Sequence, residues 1–297
     1  MSRLRGRCYC GAVEYSVGAE EDVVRASFCH CVECRLAHGS PMTWVVWLRE
    51  RPIVEQGLEK IVEYARNKLC RVFCRDCGSR LWSVDGDGCV GAYVGSFDAS
   101  DVPRSWEPTS HDFVNEAILP LDKIQDGLER RPQDDSSVVV ASSSSSRREL
   151  VGRCHCGQVE FAVLADPDLA LSGGSLCHCQ SCRRATGAAV FQVKYLKPEA
   201  FRITKGADLV RSIVLKPGWG TDRRFCGNCG SRVYHVVQDW GDDAAKFRGA
   251  IGLLPALLSG YGGAENPLPD FCQPRIHVNF EEAIVPLDKW VDGLERW

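Results

Sequence analysis

The strongest constraint on the fold of this chain is an internal duplication. Residues 4–17 read LRGRCYCGAVEYSV, and residues 150–163 repeat this block as LVGRCHCGQVEFAV. Three further blocks recur in the same order, and the offset between matched residues grows along the chain from 146 to 166 residues. An ordered repeat of this length predicts two structural units of one type, the second of which is lengthened by loop insertions.

The three later blocks carry most of the shared cysteines, and they pair SFCHCVECRLAHG with SLCHCQSCRRATG, RVFCRDCGSRLW with RRFCGNCGSRVY, and HDFVNEAILPLDKIQDGLER with HVNFEEAIVPLDKWVDGLER. We expect domains at residues 1–130 and 150–297, joined by a Ser-rich flexible linker at 131–149. Because such a tether fixes no orientation, each copy is expected to fold alone. The largest insertion follows Gly230, where GLLPALLSGYGGAENPLPDF is interpreted as loop.

The chain contains 17 cysteines in 297 residues, and its N-terminus lacks the apolar stretch of a secretory signal. No run approaches the ~20 apolar residues of a membrane span. These features predict a cytoplasmic protein, with the nucleus as the alternative compartment. In such reducing compartments, close cysteines are metal ligands or reactive thiols more often than disulfides. The formal net charge of −3 gives no basic field, so neither nucleic acid nor a membrane is expected as a partner.

Alternating stretches rich in β-branched and aromatic residues, such as AVEYSV, MTWVVWL and RVYHVV, predict a mainly β fold. Short helices of one or two turns are predicted after CHCVECR and CHCQSCR. The expected architecture is a set of antiparallel sheets with metal-binding knuckles at their ends. Metal binding would then add stability to a domain with a modest core.

The first class of cysteine cluster combines a C-x-C pair with a distant C-x-x-C-G-S. Four thiolates suit a closed, tetrahedral structural zinc site. The glycine tolerates a positive φ and lets backbone N–H groups face the sulfurs. Buried free cysteines are the alternative, but both halves of the pattern recur in both copies. The predicted ligands are Cys8, Cys10, Cys74 and Cys77 in the first copy and Cys154, Cys156, Cys226 and Cys229 in the second.

The second class is C-H-C-x-x-C. Three close thiolates can bind one zinc and leave its fourth position open, as in catalytic rather than structural sites. Alternatively a histidine closes the site, for which His111, His277, His30 and His178 are the candidates. The last two lie between ligands, so a supporting or core role is favoured for them. The predicted catalytic ligands are Cys29, Cys31 and Cys34 in the first copy and Cys177, Cys179 and Cys182 in the second.

Two pairs of arginines accompany these motifs. Arg35 and Arg183 directly follow C-x-x-C and are predicted to bind an anionic group or to offset the charge of three thiolates, with an exposed surface position as the alternative. Arg80 and Arg232 follow the G-S of the other motif and are expected to be solvated or ion-paired surface groups. Three cysteines without a counterpart are expected to be ordinary core or surface thiols, namely Cys70, Cys89 and Cys272.

The ordered motifs G-x-C-x-C-G-x-V-x-[YF], C-H-C-x-x-C-R and R-x-F-C-x-x-C-G-S, followed by a histidine and D-G-L, resemble the glutathione-dependent formaldehyde-activating enzyme family, which also includes centromere protein V. The resemblance covers nearly the whole chain, twice. It implies a Mss4-like fold with one structural and one catalytic zinc ion per copy, four per chain. The implied activity is a carbon–sulfur lyase that joins glutathione, as co-substrate, to formaldehyde, giving S-(hydroxymethyl)glutathione, or reverses that step. Small thiols and aldehydes are the implied partners.

The first copy departs slightly from the family pattern, because Leu36-Ala37-His38 stands where a small or hydroxyl residue more often precedes the glycine. The second copy, with Arg184-Ala185-Thr186, fits better. The alternative function is a non-catalytic, tandem zinc-stabilised binding module. A fourth zinc position that thiols can occupy favours the enzyme, whereas a position closed by a side chain favours the module.

Overall fold

The computed structural model describes residues 3–19, 23–133 and 149–297, so most of the predicted linker lies outside the described residues. Short 3-10 helices connect many of the strands. The first copy consists of β1 (Arg3–Arg7), β2 (Glu14–Gly18), β3 (Val23–Cys29), α1 (Val32–His38), β4 (Thr43–Leu48), β5 (Ile53–Gln56), β6 (Ile61–Arg66), β7 (Leu69–Cys74), β8 (Arg80–Val84), β9 (Val90–Tyr93), β10 (Ser110–Asp112) and β11 (Glu129–Arg131).

The second copy repeats this order of elements. It consists of β12 (Glu149–Arg153), β13 (Glu160–Leu164), β14 (Ala170–Cys177), α2 (Gln180–Thr186), β15 (Phe191–Leu196), β16 (Phe201–Lys205), β17 (Val210–Ile213), β18 (Gly220–Cys226), β19 (Arg232–Asp239), β20 (Ile251–Leu253), β21 (Pro274–Val278) and β22 (Glu295–Arg296).

Each copy contains a three-stranded and an eight-stranded sheet, and this confirms the mainly β prediction. The strand order β11-β10-β3-β4-β9-β8-β7-β6 in the first copy matches β22-β21-β14-β15-β20-β19-β18-β17 in the second. The expected antiparallel pairing does not hold at one edge. There β10 is parallel to both β3 and β11, and β21 is parallel to both β14 and β22. Parallel strands require a long connection between them, and in each copy such a connection precedes the last repeated sequence block.

The two helices begin inside the C-H-C-x-x-C motifs, not after them as predicted. The second cysteine of each motif is the N-cap residue. The Sγ of Cys31 accepts a hydrogen bond from the N–H of Cys34, and the Sγ of Cys179 accepts one from Cys182, both at 3.3 Å. Each three-cysteine motif is therefore held by the end of a strand and the first turn of a helix.

Part of the insertion interpreted as loop is regular structure. Gly252 and Leu253 belong to β20, which lies between β15 and β19 in the sheet. The strand has only three residues, which is too short to show an alternating pattern, and a 3-10 helix begins soon afterwards at Pro255. The interpretation of this stretch as loop is therefore wrong for its first residues.

The two copies bury apolar surface on each other. The core of the first copy also contains Val190 and Trp290 of the second, and the core of the second contains Leu36 and Ile118 of the first. Backbone hydrogen bonds cross as well, since the N–H groups of residues 125 and 291 donate to the carbonyls of residues 289 and 123, each at 2.7 Å. We expected each copy to fold alone, and that expectation did not include an apolar core built from residues of both copies.

Arg80 and Arg232 lie at the centre of this interface. Both are only 1% exposed, so the prediction of solvated surface groups is wrong. Each guanidinium donates to carbonyls of both copies. The acceptors are Ala37 and Cys229 for Arg80, and Ala185 and Cys77 for Arg232. Each arginine thereby joins the helix of its own copy to the C-x-x-C turn of the other, and a pattern within one copy gives no sign of this.

The glycines of the two C-x-x-C-G turns also meet the opposite copy. Gly78 and Gly230 both have a φ of +71°. A Cβ atom at Gly230 would lie 2.5 Å from Cγ of Phe73, and one at Gly78 would lie equally close to Cγ of Phe225. Each turn therefore requires glycine for two reasons: the positive φ of its backbone and the close approach of a phenylalanine ring from the opposite copy.

We expect Gly230→Ala to lower the free energy of unfolding by about 2 to 5 kcal/mol, because left-handed strain adds to overpacking against Phe73. Gly218→Ala is the matched control, since Gly218 has a φ of +73° and no neighbour within 4 Å of an added Cβ. This control should lose only the part of the free energy of unfolding that the left-handed strain costs. Urea unfolding of both variants measures the difference. Equal losses would contradict the packing of this turn on Phe73.

Candidate metal centres and active-site cavity

The eight cysteines predicted for closed sites form two four-sulfur clusters, in each of which all Sγ atoms lie within 4.8 Å of one another. In the first copy, the Sγ of Cys10 lies 3.5 Å from that of Cys8 and 3.9 Å from that of Cys74. A tetrahedral zinc ion with bonds of about 2.3 Å requires sulfurs about 3.8 Å apart. The spacing therefore suits a zinc-sized ion and is too long for disulfides.

Hydrogen-bond donors of the surrounding chain face these sulfurs. The N–H of Val13 donates to the Sγ of Cys8 at 3.3 Å, and the hydroxyl of Ser79 lies 3.2 Å from the Sγ of Cys77. The Oγ of Ser79 also accepts from the N–H of Tyr9 at 3.0 Å, which ties the two halves of the site together. The second copy repeats all three contacts. Such donors orient thiolates and stabilise their negative charge.

The other six predicted cysteines form two three-sulfur clusters, which we call the first triad (Cys29, Cys31, Cys34) and the second triad (Cys177, Cys179, Cys182). Neighbouring sulfurs lie 3.4 to 3.5 Å apart. Among the described residues, no histidine nitrogen or carboxylate oxygen joins either triad. A metal ion bound by three thiolates would therefore keep one position for an outside ligand.

The histidines of the motifs form buried chains beside the triads. His30 Nε2 lies 2.8 Å from His111 Nδ1, and His111 Nε2 lies 2.7 Å from a carboxylate oxygen of Asp126. The second copy repeats this chain with His178, His277 and Asp292. Burial lowers the pKa of the His178 imidazole to about 3, so that ring is neutral. Both ring nitrogens of His111 and His277 are engaged in these chains, and no histidine nitrogen of the described residues is grouped with a triad.

Arg35 and Arg183 are buried beside the helices. Arg35 donates to the carbonyl of Tyr261 in the other copy at 2.8 Å, and the Nε of Arg183 donates to the carbonyl of His178 at 3.1 Å. Burial lowers the pKa of Arg35 to about 10. These contacts are structural, and a contact of either arginine with an anionic substrate stays a prediction.

A cavity of about 500 Å³ opens onto the second triad. All three cysteines of that triad line it. Five of the other lining residues are aromatic, and one of these rings comes from the other copy. These rings are Phe191, Tyr195, Trp240, Phe247 and, from the first copy, Tyr9. The cavity therefore combines a set of metal-binding sulfurs with an apolar chamber, the arrangement typical of a small-molecule site.

Two donors of the cavity wall contact the triad sulfurs. Arg223 donates to the Sγ of Cys182 at 3.5 Å, and Asn279 donates to the Sγ of Cys177 at 3.4 Å. The guanidinium of Arg223 also lies 4.8 Å from the centre of the Tyr9 ring. Burial alone would lower the pKa of Arg223, but Cys182 and Tyr9 outweigh it and raise that pKa. Arg223 is thus a fixed positive charge beside the thiolates.

A second polar pair faces the same space. The Nε2 of His235 lies 3.3 Å from the hydroxyl of Tyr195. Burial and the charge of Arg223 lower the pKa of His235 to about 3, so its imidazole is neutral. Burial also raises the pKa of Tyr195 well above its usual value, so its hydroxyl keeps its proton. The pair can therefore accept and donate hydrogen bonds without carrying charge.

The surroundings of the first triad differ. Arg71 is the counterpart of Arg223, and it is buried beside Cys34, whose charge contributes to raising its pKa against the effect of burial. Phe113, however, stands in the place of Asn279 and packs against the cluster that contains Cys29. Phe113 offers no donor to a sulfur. The two copies therefore share the metal ligands and the buried arginine beside them, but the first triad lacks the amide donor that Asn279 supplies to the second.

Sequence reasoning missed the residues that build the cavity wall. Arg71 and Arg223 could have been found, since each stands three residues before the first cysteine of C-x-x-C-G-S in its copy. Tyr9 and Trp240 carried no such signal, because they reach the second triad from another copy and from an insertion without a counterpart.

Comparison with known families follows the same division into copies. A family model described as "Glutathione-dependent formaldehyde-activating enzyme" matches residues 3–116 and 149–254. The chain belongs to this family. The resemblance seen in the cysteine motifs is thereby confirmed, as is its occurrence twice in the chain.

Individual relatives add little to the family assignment. No functionally curated protein matches the chain. Among solved structures, a Rhodobacter sphaeroides protein is 24% identical, with a TM-score of 0.29, over 38% of this chain and 91% of the other. Within the described ranges, no helix has the length and apolar character needed to span a membrane.

Proposed function

We propose that the chain is a zinc-dependent carbon–sulfur lyase that acts on adducts of glutathione or a similar thiol, nominally S-(hydroxymethyl)glutathione. The family supports a reaction that involves glutathione and formaldehyde. The observation that carries the proposal is the second triad, whose three cysteines line a cavity and have no fourth protein ligand among the described residues. We therefore assign the reaction to the second copy.

Zinc fits the donor chemistry of all four clusters. Four-thiolate sets with sulfur spacings near 3.8 Å are typical of closed structural sites, and three-thiolate sets leave a position free. The full load would be four zinc ions per chain, each held by the cysteines named above. At the second triad, zinc would lower the pKa of an incoming thiol and favour its thiolate form.

The proposed reaction balances without an oxidant or a reductant. The thiol sulfur bonds to the aldehyde carbon, and the thiol proton ends on the former carbonyl oxygen. The reverse step breaks the carbon–sulfur bond and returns the proton. The Tyr195 hydroxyl is the wall group that can donate a hydrogen bond to the carbonyl oxygen, and His235 Nε2 lies 3.3 Å from that hydroxyl.

The remaining wall residues prepare the site for this chemistry. Arg223 offsets the negative charge of the three thiolates, and Asn279 orients the first of them. The aromatic rings hold the thiol and the aldehyde together and limit the access of water. The first triad has a counterpart of Arg223 in Arg71. It has no counterpart of Asn279 as a donor, because Phe113 stands in that position.

The proposal is tested by NMR exchange between free formaldehyde and its glutathione adduct. We expect the zinc-loaded chain to accelerate exchange and Cys179→Ser to lose at least about 100-fold of that acceleration, as for loss of a catalytic group. Cys31→Ser is the matched control in the first triad and should retain it. Metal content and circular dichroism verify both variants. Exchange no faster than in buffer would refute the lyase and leave a zinc-stabilised binding module.

A further inference from the structure

We propose that the cavity of the second triad is selective for the thiol adduct of an aldehyde that carries an apolar group of about the size of an aryl ring, rather than for a one-carbon adduct. Tyr9 of the first copy is a specificity-determining residue of this site. The inference rests on the proposed function and names its substrate class.

The chemistry of the wall supports an apolar substituent. A one-carbon unit bound at the sulfurs would leave most of the space of about 500 Å³ unfilled. Arg223 is the only Lys or Arg among the described residues that line the cavity, and it is engaged with Cys182. The carboxylates of glutathione therefore have no free cation inside and must point toward the mouth. The aromatic interior is left for the substituent of the aldehyde.

The aromatic wall is built by residues particular to the second copy. Trp240 and Phe247 lie in the connection between β19 and β20, which is longer than the corresponding connection between β8 and β9. Both rings pack against Tyr195, with centroids 5.1 Å and 5.3 Å away. In the first copy, Thr43 occupies the position of Phe191. Each copy has a three-cysteine triad, and the insertion adds an aromatic lining to the triad of the second copy.

Tyr9 completes this wall from the first copy. It lies between the ligands Cys8 and Cys10, and the hydroxyl of Ser79 fixes its backbone. The corresponding residue of the second copy is His155, which instead lies 2.6 Å from the carboxylate of Glu33. The residue between the two cysteines of C-x-C therefore differs in role between the copies. His155 contacts the carboxylate of Glu33 beside the first triad, whereas Tyr9 forms part of the cavity wall at the second triad.

The test compares two aldehydes, formaldehyde and phenylacetaldehyde, each with glutathione, by NMR exchange with the zinc-loaded chain. Relative to each uncatalysed rate, we expect at least about tenfold greater acceleration for phenylacetaldehyde, the size of effect that an apolar pocket supplies. Trp240→Ala and Tyr9→Ala should each slow phenylacetaldehyde exchange at least about fivefold more than formaldehyde exchange, and so remove most of this preference. Trp297→Ala, at a 73% exposed tryptophan, is the control and should change neither rate.

The ratio between the two aldehydes separates specificity from folding, because a merely destabilised variant loses both activities together. Tyr9→Phe keeps the ring and should keep the preference. If formaldehyde exchange is accelerated as much as that of phenylacetaldehyde, the inference is overturned and the lyase stands. If the exchange of neither aldehyde is accelerated, both this inference and the proposed lyase function are refuted.

Discussion

Cys229→Ser is expected to unfold the chain rather than merely to release one metal ion. A closed zinc site of this kind contributes about 10–16 kcal/mol of apparent binding free energy, which is as large as the whole stability of a typical domain. Cys229 is fully buried, its sulfur lies 3.2 Å from the hydroxyl of Ser231, and its carbonyl accepts from Arg80. We expect zinc analysis to show the loss of that ion, and thermal unfolding to lose its cooperative transition.

Cys272→Ser is the matched control for this prediction. Cys272 is also fully buried in the second copy but belongs to none of the four sulfur clusters of the described residues, and burial raises its pKa to about 12. Its replacement should lower the free energy of unfolding by only about 1–3 kcal/mol, the effect of burying a hydroxyl, and should leave four zinc ions bound. If the two variants behave alike, the four-cysteine cluster is not a structural metal site.

Arg80→Met should destabilise the interface between the copies by about 3–5 kcal/mol. The variant keeps much of the apolar stem but removes the donors that serve the carbonyls of Ala37 and Cys229, and it also removes the guanidinium that lies 5.5 Å from the centre of the Phe73 ring. Because the copies share their cores, the native chain should unfold in one transition.

Urea unfolding followed by tryptophan fluorescence measures this effect. Arg202→Met is the control, since Arg202 forms an exposed ion pair with Glu149 and its loss should change the free energy of unfolding by less than about 1 kcal/mol. Two separate transitions in the native chain, or equal effects of the two substitutions, would contradict a stabilising interface centred on Arg80 and Arg232.

The sequence was sufficient for the features that depend on local, repeated spacing. The cysteines of each cluster come from short motifs, so Cys29, Cys31 and Cys34 could be grouped from their spacing alone. The mainly β fold followed from alternating apolar stretches in the same way. The end of each helix also carries a local signal, because Gly39 and Gly187 directly follow the helices and adopt the positive φ that closes a helix.

The missed features depend on contacts between the copies. Arg80 and Cys229 are 149 residues apart, and an arginine after C-G-S looks like a surface residue unless its partner is known. Tyr9 reaches the second triad across the same interface. Arg35 seemed well placed for an anion because it follows three ligands, yet the helix turns its side chain toward Tyr261. The arginine beside the sulfurs comes instead from a neighbouring strand, β7 or β18.

The central claim is that a thiol substrate occupies the open metal position of the second triad. It is tested most directly by titrating glutathione into the cobalt-substituted chain and following the visible absorption of the metal–thiolate centres. We expect the spectrum to change for the native chain and for Cys31→Ser, and to stay constant for Cys179→Ser. An unchanged spectrum for the native chain, or a full response that survives in Cys179→Ser, would contradict thiol binding at the second triad.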